Sequence, residues 1–416
     1  PRSTLFPYTT LFRSLGVWAR PIIAPDRLTL PALLQRSGYA TACIGKWHLG
    51  WDWPTKDGKP PRTGPDNLGN VDFTQVIPGG PTARGFDYYF GTCVPNYPPY
   101  CFIENDRTVG VPSEPSTEFE TPGPSLPGWK QIEILPELTR RAVRYIEAAS
   151  KSTKPFFLFF SLTSPHHPVL PSPEFHGKSG AGDYGDFVVQ TDWTIGQVVA
   201  ALDRTGLAKN TLVIVTSDNG PEITRTNNLG TKNVMPVGAY DRIQRYAHAS
   251  MGPFRGIKYE AWEGGHRVPF VARWPNRIKA GLVSDELFCL VDLMATCATI
   301  VGVDMPQNSG EDSIDALPTL TGGKTTRTTA IMASAKVPRA VRQGPWVWID
   351  ASAGLNPEPN WYREERGYTD NPLPSQLYDL SADPAQRHNL VTERPEKAAE
   401  LAEWLKRVDR EGRSAR

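Results

Sequence analysis

A mostly parallel α/β sheet flanked by helices, followed by a smaller C-terminal antiparallel sheet-plus-helix subdomain, is the architecture the sequence predicts. Three observations predict it. Apolar runs such as Pro155–Leu162 (PFFLFFSL) and Thr211–Thr216 (TLVIVT) read as strands buried on both faces. Segments with helical apolar spacing alternate with them. After Thr321-Gly322-Gly323 the pattern shortens to β-type runs and closes on a polar helix.

In chain order, Leu28–Ser37 reads as a helix with Pro31 in its first turn, stopped by Gly38. Tyr39–Ile44 is a short buried strand. Residues 51–127 are rich in Gly, Pro, Asp and aromatics, show little periodicity, and read as a functional or specificity-bearing insertion. Ile132–Ala149 is an amphipathic helix that leads into PFFLFFSL. Phe187–Leu202 is a helix before TLVIVT, Val268–Trp274 a strand, and Glu286–Val301 an apolar helix. Beyond these, Thr329–Ser334, Ala340–Ile349 and Gln376–Leu380 read as short antiparallel strands, and Pro395–Asp409 as the last helix. The expected division is a main domain over 15–325 and a subdomain over 326–416.

The chain has 416 residues, 39% hydrophobic and 21% charged, with a formal net charge of +1. That balance offers no basic field for nucleic acid and no acidic tail. No apolar run approaches the ~18–20 residues of a membrane span. The 5 cysteines cannot all pair, and their spacing does not suit zinc. Cys93 and Cys101, close together in a Tyr/Pro-rich loop, could form a disulfide if the protein is exported, and their state is left open; Cys289 and Cys297 read as core filler. Thr4–Ser14 (TLFPYTTLFRS), with TLF twice, matches the in-frame translation of a DNA sequencing adapter. Residues 1–14 are therefore expected to be an artefact, with natural sequence from Leu15.

Ligands in parallel α/β sheets sit beyond the carboxyl ends of strands. Three polar motifs fall at such ends: Gly45-Lys46-Trp47-His48, Ser164-Pro165-His166-His167-Pro168 and Ser217-Asp218-Asn219-Gly220. Lys46 and His48, a cation and a hydrogen-bond donor two residues apart, can face one anion. Asp218 and Asn219 are hard oxygen donors suited to Ca²⁺ or Mg²⁺, although Asp-Asn-Gly alone is more often a turn. The histidine pair can serve a ligand or a metal, and one of the two can serve packing alone.

Gly38–Gly50 (GYATACIGKWHLG) closely resembles a signature of the sulfatase family, a branch of the alkaline-phosphatase-like superfamily. The resemblance extends through SPHHP, TLVIVTSDNG, Gly252–Lys258 (GPFRGIK) with Glu263–Pro269 (EGGHRVP), and Gln376–Leu380 with Asp383-Pro384. It covers the chain from about Gly16 to the last helix and implies an alkaline-phosphatase-like fold and hydrolysis of sulfate esters. By the family pattern, Asp218 and Asn219 are metal ligands for Ca²⁺, with Mg²⁺ possible. Lys46 and His48 grip the sulfate, His166 approaches the leaving oxygen with His167 as the lesser alternative, and Lys258 contacts the sulfate or its leaving oxygen. Glu263 and Arg267 shape the loop that presents Lys258.

Family members also carry, upstream of this signature, two metal-binding aspartates and a Cys-or-Ser-x-Pro-x-Arg whose first residue becomes the formylglycine nucleophile. Cys93-Val94-Pro95-Asn96-Tyr97 and Ser113-Glu114-Pro115-Ser116-Thr117 lack the arginine and follow the signature, so neither substitutes. Leu15–Arg20 resembles the stretch just beyond that motif. The expectation is a truncated fragment, inactive as written, whose intact form would rely on a formylglycine-generating maturation system. The partner expected is a sulfated small molecule or glycan, with Asp66, Asn67, Asn96, Tyr97 and Tyr100 as contacts from the insertion. The family implies a periplasmic, extracellular or lysosomal setting; oligomeric state is open. Two rivals are a phosphatase or phosphodiesterase of the same superfamily, and a non-catalytic sulfate-ester-binding relative.

Overall fold

The computed structural model describes residues 15–222, 226–227, 235–236, 238–332, 339–354, 358–369 and 371–414, so the adapter-like string and the end of the expected Thr329–Ser334 strand lie outside it. The chain forms two compact units, Leu15–Thr211 with Thr226–Val237, and Leu212–Arg225 with Gly238–Arg416. The small sheet expected from residue 326 thus shares a unit with 238–325.

The first unit is built on β1 (Ala40–Lys46), which pairs in parallel with β2 (Tyr88–Thr92) on one side and β5 (Phe156–Ser161) on the other. Beyond β2 the sheet turns antiparallel through β3 (Ile103–Glu104) and β4 (Arg107–Thr108). It is therefore a parallel centre with an antiparallel edge. Helix α1 (Leu30–Arg36) begins where the Thr29 hydroxyl accepts from the Ala32 amide at 3.3 Å, and Pro31 suits a first turn with no helical N–H partner. Helix α2 (Ile134–Ala149) buries Ile134, Leu138 and Ala142 at four-residue spacing against Ile44 and Phe90 of the sheet. Ile134 and Leu138 each contribute about 1.5–3 kcal/mol by this burial, and Ala142 less. Helix α3 (Gly182–Arg204) packs on α2, where the Thr139 and Thr194 hydroxyls meet at 3.1 Å.

Residues 51–127, expected to be an irregular insertion, supply β2, β3 and β4 to this sheet, and the rest of the segment covers the other face as an aromatic core. Trp47, Trp51, Trp53, Phe73, Phe86 and Tyr89 cluster there, with Trp51 only 1% exposed. Outside these strands aromatic mass replaces periodicity, so the covering loops show no regular pattern in sequence.

The strand PFFLFFSL departs from expectation. Its residues are half-buried and Phe159 is 46% exposed, because among the described residues β5 pairs only with β1 and forms the sheet edge. TLVIVT departs likewise. It forms β6 (Val213–Thr216) in the second unit, paired antiparallel with β7 (Phe270–Arg273) in a two-stranded ribbon whose residues are half-buried or exposed. Sequence reads apolarity, but the number of neighbouring strands sets burial.

The second unit contains a four-stranded antiparallel sheet: β8 (Thr329–Met332), β9 (Ala340–Gln343), β10 (Trp346–Ile349) and β11 (Gln376–Asp379). The 340–349 run is two strands, folded at Gly344-Pro345. Alternation sorts the faces. Val341, Trp348 and Leu377 meet Leu401 and Leu405 of α7 (Pro395–Glu411), while Ala340, Val347 and Tyr378 meet Ala261 and Trp262. Helices α4 (Ala239–Tyr246) and α6 (Asn360–Arg366) enclose Ile257 with Tyr240, Tyr362 and Tyr368. Between them in sequence, α5 (Leu293–Val301) starts later than its apolar run suggests, because the Asp292 carboxylate accepts from the Cys289 amide at 3.0 Å and pairs with Arg327.

All five cysteines are free thiols, and Cys93 and Cys101 are not joined. Burial pushes the Cys43 and Cys93 thiols up to about 12, and Cys101 higher still. Cys289 and Cys297 are only half-buried, so they fill a boundary rather than a core. Among the described residues no helix is long and apolar enough to cross a membrane.

Candidate functional site

In the first unit the site begins at the carboxyl end of β1. Gly45 has φ +126, and a β-carbon there would stand 2.0 Å from the Ser161 carbonyl oxygen, so only glycine lets β1 and β5 close at this point. Lys46 follows, half-buried, with its carbonyl accepting from the Ser161 hydroxyl at 2.8 Å. Trp47 turns inward (4% exposed), its amide donating to Thr92 O at 3.0 Å and its indole to Gly50 O at 3.3 Å. With Trp47 pinned, the flanking Lys46 and His48 remain at the half-buried surface. Leu15–Arg20 packs on this turn: the His48 Nε2 lies 3.0 Å from Leu15 O, and the Trp51 amide donates to Ala19 O at 3.0 Å. A carbonyl partner requires Nε2–H on His48, and neutral His48 therefore keeps its lone pair on Nδ1. The ring also meets Tyr97 edge to face at 5.9 Å.

His166 emerges from the loop after β5. Because β5 is the parallel neighbour of β1, with Gly45 opposite Ser161, Lys46 and the His166 loop leave the same sheet rim. The His166 Nδ1 sits 2.7 Å from His167 O, which again selects the N–H on that nitrogen and leaves Nε2 as the site of proton gain or loss. The two rings stack at 4.1 Å. His166 is half-buried and lines a small pocket with Pro95, Gln131, Thr163 and Leu170. His167 is buried, 7% exposed, and its Nε2 lies 2.9 Å from the Glu120 carboxylate. Asn96, expected as a substrate contact, instead places its amide nitrogen 3.2 Å from that same ring nitrogen.

In the second unit, Ser217–Gly220 follows β6. Gly220 packs on the Glu263–His266 turn, donating to Gly265 O at 2.8 Å; a β-carbon there would lie 1.9 Å from Gly264 O. Asp218 is exposed, and the half-buried Asn219 donates its amide nitrogen to Gly220 O at 2.9 Å. That bond engages the nitrogen, so the side-chain carbonyl oxygen is the end that could meet a cation. The Lys258 amide donates to Pro221 O at 2.9 Å, so Lys258 is tied by backbone to the Asp218-Asn219 turn. Its ammonium pairs with Glu222 at 3.0 Å, both side chains being 13% exposed. Glu222 carried no motif signal; it lies three residues past Asn219 and has no periodic role.

The loop bearing Lys258 is anchored at both ends. Arg255 lies 3.9 Å over the Trp262 ring and 4.3 Å over Tyr368, with a 2.6 Å ion pair to Glu358. Glu263, fully buried, accepts from Arg267 and Arg342 at 3.2 Å each. Burial pushes the His266 imidazole below its ordinary value despite the nearby Glu263 carboxylate, so this histidine stays neutral as it bonds Ala261 O. Lys46, His48 and His166 thus share one rim of the first unit, and Asp218, Asn219 and Lys258 one loop cluster of the second.

Comparison with known proteins points one way. The sequence model described as Sulfatase matches residues 6–303. An N-acetylgalactosamine-6-O-sulfatase of Bacteroides thetaiotaomicron is 33% identical, the match covering 93% of this chain and 78% of the relative. Arylsulfatase A of Bos taurus is 30% identical, covering 92% and 71%, and N-acetylgalactosamine-6-sulfatase of Mus musculus is 28% identical, covering 87% and 64%. Among solved structures, one from work on glycosaminoglycan metabolism by Bacteroides thetaiotaomicron superposes with a TM-score of 0.77 at 31% identity, covering 95% of this chain and 85% of its own.

Proposed function

Because this chain belongs to the sulfatase family of sulfuric ester hydrolases, we propose that it recognises a sulfate ester through Lys46, His48, His166 and Lys258, and a divalent cation through Asp218 and Asn219. The observation that carries the reading is the common rim of β1 and β5, where a lysine and an imidazole of defined tautomer leave adjacent parallel strands. A sulfate monoester spreads its negative charge over terminal oxygens. Lys46 meets that charge as a point cation, and Lys258 adds a second. His48 meets an ester oxygen in its imidazolium form, in which Nδ1 also carries a proton. His166, with Nδ1–H held by a carbonyl, exchanges its second proton at Nε2, and in its imidazolium form that proton is the one a departing alcohol oxygen needs.

The donor set at Asp218 and Asn219, a carboxylate and an amide oxygen, fits a hard ion, Ca²⁺ or Mg²⁺. Bound there, such an ion would draw charge from the ester's oxygens. Nothing in the 416 residues fits the formylglycine group: no Cys- or Ser-x-Pro-x-Arg occurs. No nucleophilic step is therefore derived, and the activity proposed for this polypeptide is recognition of the ester without turnover. As substrate class we propose a sulfated hexosamine glycan, supported by the names of the bacterial and mouse relatives.

Isothermal titration of the full chain with 4-nitrophenyl sulfate and with N-acetylgalactosamine 6-sulfate, with and without Ca²⁺, tests this. Binding is expected to weaken about tenfold or more in Lys46→Ala and His166→Ala, the scale of a charged hydrogen bond. Absence of binding by both ligands sinks the sulfate-ester reading. Release of 4-nitrophenol sinks the recognition-only part.

A further inference from the structure

We propose that Glu120, braced by Asn96, is a positioning residue that holds His167 and, through the stacked rings, helps set His166; the consequence for ligand binding rests on the sulfate-ester reading above. His166 does not stand alone. Its Nδ1 is held by the His167 backbone carbonyl at 2.7 Å and its ring lies on the His167 ring at 4.1 Å, so a rotation of the His167 ring disturbs the face on which His166 rests. Glu120 lies 2.9 Å from the His167 Nε2, and Asn96 lies 3.2 Å from it. The Asn96 amide nitrogen donates to Glu120 at 3.4 Å, so with the proton on His167 Nε2 it braces the carboxylate and not the ring. A carboxylate at Nε2 selects the Nε2–H tautomer of His167 and the ring rotamer that delivers it.

The carboxylate and the amide that braces it come from different turns of the 51–127 segment, and one hydroxyl ties those turns together. Tyr100, 2% exposed, donates its OH to Thr121 O at 2.6 Å, next to Glu120, and to the backbone carbonyl of Asn96 at 3.2 Å. The same segment that closes the aromatic core therefore fixes the imidazole pair. A carboxylate on a histidine beside the proposed proton donor is a positioning device, and the irregular segment is its frame.

The test uses Glu120→Gln, since Glu120 is exposed and its loss does not open the core. Long-range proton–nitrogen spectra of the imidazoles are recorded on the full chain, with His166→Ala and His167→Ala assigning the signals and exposed Glu118→Gln as control. Glu120→Gln is expected to move His167 toward mixed tautomers, shift the His166 nitrogens, and weaken 4-nitrophenyl sulfate binding about threefold to tenfold, the scale of one hydrogen bond. Glu118→Gln is expected to do neither. Unchanged His166 and His167 signals overturn the proposal, and so does a shifted spectrum with unaltered affinity. If the wild-type chain binds no ester, the sulfate-ester reading falls while the spectra alone decide whether Glu120 positions the pair.

Discussion

The Lys258–Glu222 pair shows how a candidate ligand-binding cation is kept in place. Both side chains are 13% exposed, so each needs the other to offset lost hydration. Glu222→Ala should lower stability by about 1–3 kcal/mol, read as a drop in the urea midpoint at constant slope. Cys43 behaves differently. Burial raises its thiol from an ordinary value of 9.0 to about 12, against a weaker opposing contact from Ser161. The folded value lies above the unfolded one, so the fold favours the protonated thiol. That stability is complete below pH ~9 and is lost as pH rises toward about 12. Urea midpoints measured from pH 8 upward should fall above pH 9, and a thiol reagent should label Cys43 only after denaturation.

At the scale of elements, close packing decides what each strand and helix tolerates. Gly45→Ala would set a β-carbon against the Ser161 carbonyl, separating the ends of β1 and β5 at the rim that carries Lys46. The expected cost is about 3 kcal/mol by chemical denaturation, together with weakened ester binding. Leu401→Ala in α7 tests packing far from any candidate ligand residue. Leu401 is fully buried against β9–β11, and its truncation should cost about 2–5 kcal/mol. Ester affinity per folded molecule should stay unchanged, which separates the two variants.

For the whole molecule, a formal net charge of +1 means that no global field steers an anion toward the chain. Stopped-flow association of a sulfate ester should therefore change less than about tenfold between low and high salt, since the cations that matter are local and partly buried. Affinity, by contrast, should follow Lys46 and Lys258 individually.

Much of this was legible in the residues themselves. GKWHLG, SPHHP and SDNG announced strand ends with chemistry because glycine-bounded turns, apolar runs and polar endings are local properties. The helices at Leu30–Arg36, Ile134–Ala149 and Pro395–Glu411 followed from spacing and composition in the same way. The division into Lys46, His48 and His166 on one side and Asp218, Asn219 and Lys258 on the other could not be read there, because unit boundaries depend on contacts between distant segments. Nor could the partners: Glu222 at Lys258, Leu15 at His48, and Glu120 with Asn96 at His167 lie in loops without pattern. Burial was a tertiary matter as well. PFFLFFSL and TLVIVT are apolar enough for a sheet interior, yet their exposure depends on how many strands flank them. Sequence by itself determined the family and the residue types offered to a sulfate ester, since both rest on local motifs. Only the tertiary structure decided which nitrogen of each histidine carries the proton and what holds it, because hydrogen-bond partners are set by folding in space.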